Sequence, residues 1–311
     1  MELVEDGCSM PTEWADAIAQ GLASMHVDNA RVVITVNFVR TVAELTENAS
    51  YATERGGGAV AAKTVTRPGG SVVVLNYNEL ASRTSADIQR VLAHEAGHIL
   101  IDARGTEETS GNRDSSEADW QWWLKALGAQ AIVELRIERS LADLGYPIAE
   151  SAVPTAVDHS LLVTNLEVVN AVIDPGSSDP RYFHDAILTT LNQVTKLLAY
   201  VVAPLTGTAS FSPSQLSVDG QANWADYIAP TWPQRIALWT SIPPAVESIP
   251  IETWRTILRE SFRLEQALML DFGFAFENAP EGGYGFYRRA GDDAFTERIR
   301  RARAQTGVEL D

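Results

Sequence analysis

Thr84-Ser85-Ala86-Asp87-Ile88-Gln89-Arg90-Val91-Leu92-Ala93-His94-Glu95-Ala96-Gly97-His98-Ile99-Leu100-Ile101 is the stretch from which the rest of the chain is best read. Thr84 and Asp87 have the spacing of a capping box, in which a hydroxyl and a carboxylate each satisfy a backbone N–H at a helix start. The apolar residues that follow recur with helical period, so a helix is expected from here to about Ile101. On such a helix His94 and His98 stand one turn apart and about 40° apart around the axis. Their imidazoles can then converge on a single ion. Zinc accepts neutral imidazole nitrogen at about 2.0–2.1 Å in a tetrahedral site that leaves one position open. Glu95 stands about 100° from His94 and about 60° from His98, so it flanks that ion without ligating it. A carboxylate so placed can take a proton from a water that attacks a carbonyl. The two internal positions, Ala96 and Gly97, are small, as close approach of an ion or substrate requires.

Upstream, Ala59 to Thr66 and Ser71 to Tyr77 read as strands joined by Arg67-Pro68-Gly69-Gly70, a hairpin turn signal. Residues 50–58 end in Gly56-Gly57-Gly58 and suggest a mobile loop. Arg31 to Val39 is β-branched and alternating enough for a strand. Pro11 to Met25 has Trp14, Ile18 and Leu22 on one stripe, which predicts a helix with Thr12 as its cap. Downstream, Asp114-Ser115-Ser116-Glu117 repeats the capping-box signal and opens a long helix that Gly145 and Pro147 stop. Helix, strand, hairpin, helix, loop, helix is an α+β order, spanning roughly residues 10 to 147. Beyond 150, helical stretches are expected at 156–173, 184–203, 231–241 and 251–272, with Pro243-Pro244 between the last two. Residues 204–222 and 279–292 read as loops, and a charged helix ends the chain. The division expected is therefore a domain over 1–150 and a mostly helical lobe over 151–311.

Residues 59–101 resemble the catalytic core of gluzincin-type zinc peptidases, which carry an HExxH helix, especially small intracellular phage and bacterial ones. The resemblance extends over about residues 30–147 and does not reach the second lobe. It implies a zincin-like catalytic domain, with the active-site helix beside a small sheet. It also implies a bound zinc ion, hydrolysis of a protein or peptide substrate, and Glu95 as general base. A strand of the kind seen at Ser71-Val72-Val73-Val74-Leu75-Asn76 borders the cleft in such relatives and pairs with an extended substrate. A metzincin would need Gly at position 101 and His or Asp at 104, where this chain has Ile101 and Arg104. Asp102, four residues after His98, reads as surface charge.

In gluzincins the third ligand is a glutamate from the next helix, and three compete here. Glu134 and Glu138 lie on a stripe with Leu127, Ala131 and Leu141, where a carboxylate is costly unless a cation satisfies it. Zinc would do that for one, and Arg136 or Arg139 for the other. Glu117, followed by Ala118, also stands where a capping box expects an acid. The metal set favoured is His94, His98 and Glu134, with Glu117 and Glu138 still open. Tyr146, His159, Tyr182 and His184 are the candidates to stabilise a developing oxyanion.

The formal charge of −17 repels phosphate, so neither nucleic acid nor an anionic membrane is an expected partner. The basic run Arg298-Ile299-Arg300-Arg301-Ala302-Arg303 reads as a solvated helix face. No apolar run approaches membrane-spanning length and the acidic start carries no secretory signal, so a cytoplasmic protein is expected. A single cysteine, Cys8, fits that compartment. His26 reads as a surface residue. The tryptophans at 120, 122, 123, 224, 232, 239 and 254 read as core packing. Two rivals remain. One is a zincin-folded, zinc-binding protein that binds a partner without hydrolysis, against which the intact Glu95 stands; the other is a zinc hydrolase of a non-peptide bond.

Overall fold

The computed structural model describes the chain except residues 50, 52–59, 106–112, 114–116, 149–151, 205–210, 281–282, 290 and 307–311. The expected mobile loop at 50–58 and the capping signal at Asp114 to Ser116 fall largely outside the described residues. The protein is mixed α+β, with a small sheet and a mostly helical C-terminal part. It divides into two compact units, neither contiguous in sequence: Met1–Glu108, Arg136–Pro147 and Pro243–Ile249 form one, and the remaining segments form the other.

The first unit is built on four strands, β1 (Glu2–Asp6), β2 (Arg31–Thr35), β3 (Ala62–Arg67) and β4 (Gly70–Asn76). Their order is β1-β2-β4-β3; β1, β2 and β4 run parallel and β3 antiparallel to β4. The 67–70 turn forms as expected, with Gly69 and Gly70 at positive φ. Three expectations change. Strand β2 stops at Thr35 rather than Val39, because the Thr35 hydroxyl donates to Asp6 and accepts from the Asn37 N–H, turning the chain outward. Helix α2 (Phe38–Thr46) follows, burying Phe38 and Val42, residues that suit either a strand or a helix. The acidic start Glu2–Asp6 is a parallel edge strand, half exposed and held by backbone pairing with β2.

The third change concerns the cleft. Strand β4 is hydrogen-bonded to β2 on one side and β3 on the other, so its backbone has no edge to offer an extended peptide. The edge strand on that side is β3.

Alternation along the strands sorts the two faces of the sheet. Val33, Val72 and Val74 pack with Phe38 and Val42 of α2. On the opposite face Val32, Ile34, Val73 and Leu75 are fully buried. Thr64 of β3 lies opposite Val73, and its hydroxyl meets Glu95 of helix α4 (Ser85–Arg104), so α4 covers this second face. Helix α1 (Thr12–Ser24) packs on α4 and buries the expected stripe of Trp14, Ile18 and Leu22. A Cβ on Gly21 would stand 2.5 Å from the Gln89 carbonyl oxygen, so the two backbones touch. Its N-cap is Pro11 and no side chain caps it, so Thr12 is the first helical residue instead.

Both halves of the Thr84–Asp87 capping box form, and α4 ends at Gly105 in a left-handed conformation. Between β4 and α4 lies α3 (Tyr77–Leu80) with the turn that follows it. The long helix α5 (Asp119–Asp143) belongs to both units, passing from the second to the first between Leu135 and Arg136. It ends as expected at Gly145, φ +86°, where Tyr146 N–H reaches the Leu141 carbonyl and Gly145 N–H the Ala142 carbonyl. Gly97 of α4 faces Ile137 of α5, and a Cβ there would stand 2.8 Å from Ile137 Cγ1. Replacing Gly97 by Ala is therefore expected to destabilise the fold by about 1–3 kcal/mol through overpacking, read as a lower midpoint in denaturant with an unchanged slope. An unchanged midpoint would mean the two helices can separate freely.

The segment Pro243–Ile249 is bound into the first unit by two arginines. Fully buried Arg136 donates to the carbonyls of Pro243, Pro244 and Glu247, and Arg104 to those of Ala245, Val246 and Glu247.

The second unit contains the N-terminal part of α5, α6 (Val153–Ile173), α7 (Pro180–Val202), α8 (Val218–Asn223, continuing as a π-turn to Ile228), α9 (Trp232–Thr240) and α10 (Ile251–Asp271). A hairpin of β5 (Phe274–Asn278) and β6 (Tyr284–Arg288) and the final helix α11 (Asp292–Thr306) complete it. Helix α8 occupies part of the expected 204–222 loop. Strand β6 occupies part of the expected 279–292 loop, where the glycines masked the alternation of Tyr284 and Phe286. The basic run of α11 is not a solvated face. Arg298 and Arg301 are buried and both pair with Asp226, while Arg300 is exposed and pairs with Glu297. Trp239 and Trp254 are fully buried and Trp224 nearly so, as core packing predicts. Among the described residues one helix, α6, is long and apolar enough to cross a membrane by length and composition, and 39% of its most apolar window is buried within the protein.

Candidate metal centre

Helix α4 delivers His94 and His98 from adjacent turns, with ring centroids 5.1 Å apart. Both are partly buried. Helix α5 passes alongside with its Ile137 against Gly97, so side chains one turn apart on α5, at 134 and 138, face the same stretch of α4. The ligand atoms of His94, His98 and Glu134 lie within 4.8 Å of one another, and Glu134 is 7% exposed.

These donors suit a metal ion. Two imidazoles and one carboxylate form a neutral–neutral–anionic set of the kind that binds zinc with one position left open. Tetrahedral bonds of about 2.0–2.1 Å put ligand atoms about 3.4 Å apart, so a contraction on the order of an ångström closes the set on one ion.

Glu138 has a different task from Glu134. One carboxylate oxygen lies 2.9 Å from His94 Nδ1, and the other accepts from Arg90 Nη2 at 2.5 Å. A carboxylate on Nδ1 holds the proton there and leaves Nε2 as the nitrogen able to bind an ion. The cation that satisfies Glu138 is therefore Arg90, not Arg136 or Arg139. Arg90 is itself braced by the Tyr146 carbonyl. Glu117 is spoken for by Lys125, whose ammonium lies 2.6 Å from it, and it precedes α5 rather than capping it.

Glu95 follows His94 on α4 and is 7% exposed. The Thr64 hydroxyl of edge strand β3 stands 2.6 Å from its Oε2 and 3.1 Å from its backbone oxygen. The strand thereby fixes one oxygen of the carboxylate. Asp102 is exposed and is held by Thr66, as a surface charge would be.

None of the four residues first considered for an oxyanion is among the groups brought together here. The Tyr146 hydroxyl takes a hydrogen bond from Gln89, His159 is exposed, and exposed Tyr182 is bonded to Asp174. His184 is buried against Trp123 and hydrogen-bonded to the Tyr284 hydroxyl, and its burial pushes its pKa below the usual histidine range. His26 is exposed, as expected. What sequence reasoning missed is Thr64, Arg90, Lys196 and Tyr200. The last two approach Glu134 from α7, with Tyr200 donating to Oε2 at 3.1 Å and Lys196 Nζ lying 3.4 Å from Oε1. Their spacing of four on an apolar helix was a readable signal of one polar stripe; the other two are set by tertiary pairing alone.

No family model, no curated protein and no solved structure matches the chain.

Proposed function

We propose that this protein is a zincin-like zinc peptidase of the cytoplasm, with His94, His98 and Glu134 holding the metal and Glu95 acting as general base. One observation carries it: two histidines a turn apart and a buried glutamate from a second helix bring their ligand atoms within 4.8 Å, with a buried glutamate next to the first histidine.

When bound, zinc supplies a Lewis acid that polarises a carbonyl and acidifies a water. The chain's own residues account for the rest. Glu138 keeps the His94 proton on Nδ1 and so aims Nε2 at the ion. Thr64 occupies Oε2 of Glu95, which leaves Oε1 to take the proton of the attacking water and pass it to the departing amine. The burial of Glu95 limits competition from bulk water for that proton. Strand β3, at the edge of the sheet and carrying Thr64, supports an extended peptide as the substrate, since its outer backbone groups can pair with one while the scissile bond lies near Glu95.

The experiment is a chelation and restoration series. Purified protein with a mixed peptide library is expected to cleave a subset of peptides, to lose that turnover on chelation and to regain it with added zinc. A library left intact while zinc is held at His94 and His98 would replace the peptidase by the non-hydrolytic binder.

A further inference from the structure

Lys196 and Tyr200, one turn apart on α7, reach the same carboxylate. The Tyr200 hydroxyl is a neutral donor to Glu134 Oε2, and the Lys196 ammonium is a charge beside Oε1. The lysine side chain is 23% exposed and the glutamate 9%. Among the described residues Glu134 is the one carboxylate within 4.0 Å of Lys196. A carboxylate this buried is costly unless a cation meets it, and in the structure Lys196 is a cation that meets it. Yet Glu134 is also the group that completes the histidine pair.

From this double use we infer that Lys196 competes with the metal for Glu134 and sets the affinity of the site, making the metal exchangeable. The inference rests on the metal-site reading above. A metal–oxygen distance of about 2.0–2.2 Å would leave the ammonium, in its present place, roughly 5 Å from the ion. Repulsion between a single and a double positive charge at about that separation is worth on the order of tenfold in affinity even at the dielectric constant of water, and more in a drier site. If the lysine swings out instead, it gives up its carboxylate partner. Zinc therefore binds more weakly than its three donors alone would hold it. Tyr200 contributes orientation without charge, so it imposes no such competition.

The two halves of this competition separate by mutation. Lys196→Met is expected to tighten zinc at least about tenfold in a competition titration against a fluorescent chelator, with Lys196→Gln as the second variant should the first fold poorly. Tyr200→Phe is expected not to tighten it. Thermal denaturation supplies a readout independent of turnover. Without zinc the Lys196→Met protein should melt below the unsubstituted one, because buried Glu134 loses the ammonium beside Oε1. With zinc the rise in melting temperature should be larger than in the unsubstituted protein. Unchanged or weaker zinc binding in both lysine variants would overturn the competition while leaving the site intact. An unsubstituted protein whose zinc does not depend on His94 and His98 would instead overturn the site itself.

Discussion

Protein carrying alanine at both His94 and His98 is expected to purify without zinc, and the unsubstituted chain is expected to purify with one ion. Removing the histidines takes two of three protein donors, and the carboxylate that remains already faces Lys196 and Tyr200. An isolated carboxylate in water binds zinc too weakly to survive dialysis, whereas three converging donors hold it. The fold should persist, because both imidazoles are only partly buried and Glu138 keeps its Arg90 partner. Far-ultraviolet circular dichroism on the same samples checks that. The third donor is tested alongside. Glu134→Gln should weaken zinc binding, while Glu117→Gln should leave it unchanged, since Glu117 is not in the group whose ligand atoms converge. Stoichiometric zinc in the double alanine variant would place any metal elsewhere in the chain.

How much of this was legible from residues alone follows from how local each determinant is. The α4 cap, the 67–70 turn and the Gly145 stop are each decided within a few residues, and each forms where the pattern puts it. The histidine pair is equally local, because one helix fixes both side chains. The choice among Glu117, Glu134 and Glu138 is not. It depends on which turn of α5 faces which turn of α4, and Gly97 against Ile137 sets that register through tertiary contact. Sequence placed two acids on an otherwise apolar stripe and saw that each needed a cation. It could not see that Arg90, in the same stretch as the histidines, serves Glu138 while Arg136 turns to the Pro243–Glu247 carbonyls. Strand order is the same kind of fact. Strand β4 is apolar and buried from Val72 to Leu75, and it is not the edge because β2 and β3 pair with it on either side. The β6 strand and the buried arginines of α11 failed differently. Glycine and arginine are read by their averages, and here Gly283 makes a turn at φ +82° and two arginines share Asp226.

Glu95→Gln is expected to leave zinc at full occupancy and to lower peptide turnover by at least two orders of magnitude. The substitution is nearly isosteric, so packing at a residue that is 7% exposed should hold. The Thr64 hydroxyl can still donate to the amide oxygen, which keeps the β3–α4 contact. What disappears is the proton acceptor. The amide nitrogen then stands in the Oε1 place, where it can donate a hydrogen bond but cannot take a proton from a water, and a positioned general base is typically worth about 10²–10⁴ in rate. Because Glu95 is not among the converging ligand atoms, zinc content should not follow activity downward. The paired measurement is metal analysis and turnover of the best library peptide on the same preparations. Zinc lost along with activity would make Glu95 a ligand, and the division of labour between Glu95 and Glu134 would be reversed. Zinc kept with turnover undiminished would mean that the cleavage arises away from α4. The expected pattern, metal retained and turnover gone, separates chemistry from metal binding at one atom, Glu95 Oε1, the oxygen that Thr64 leaves unoccupied.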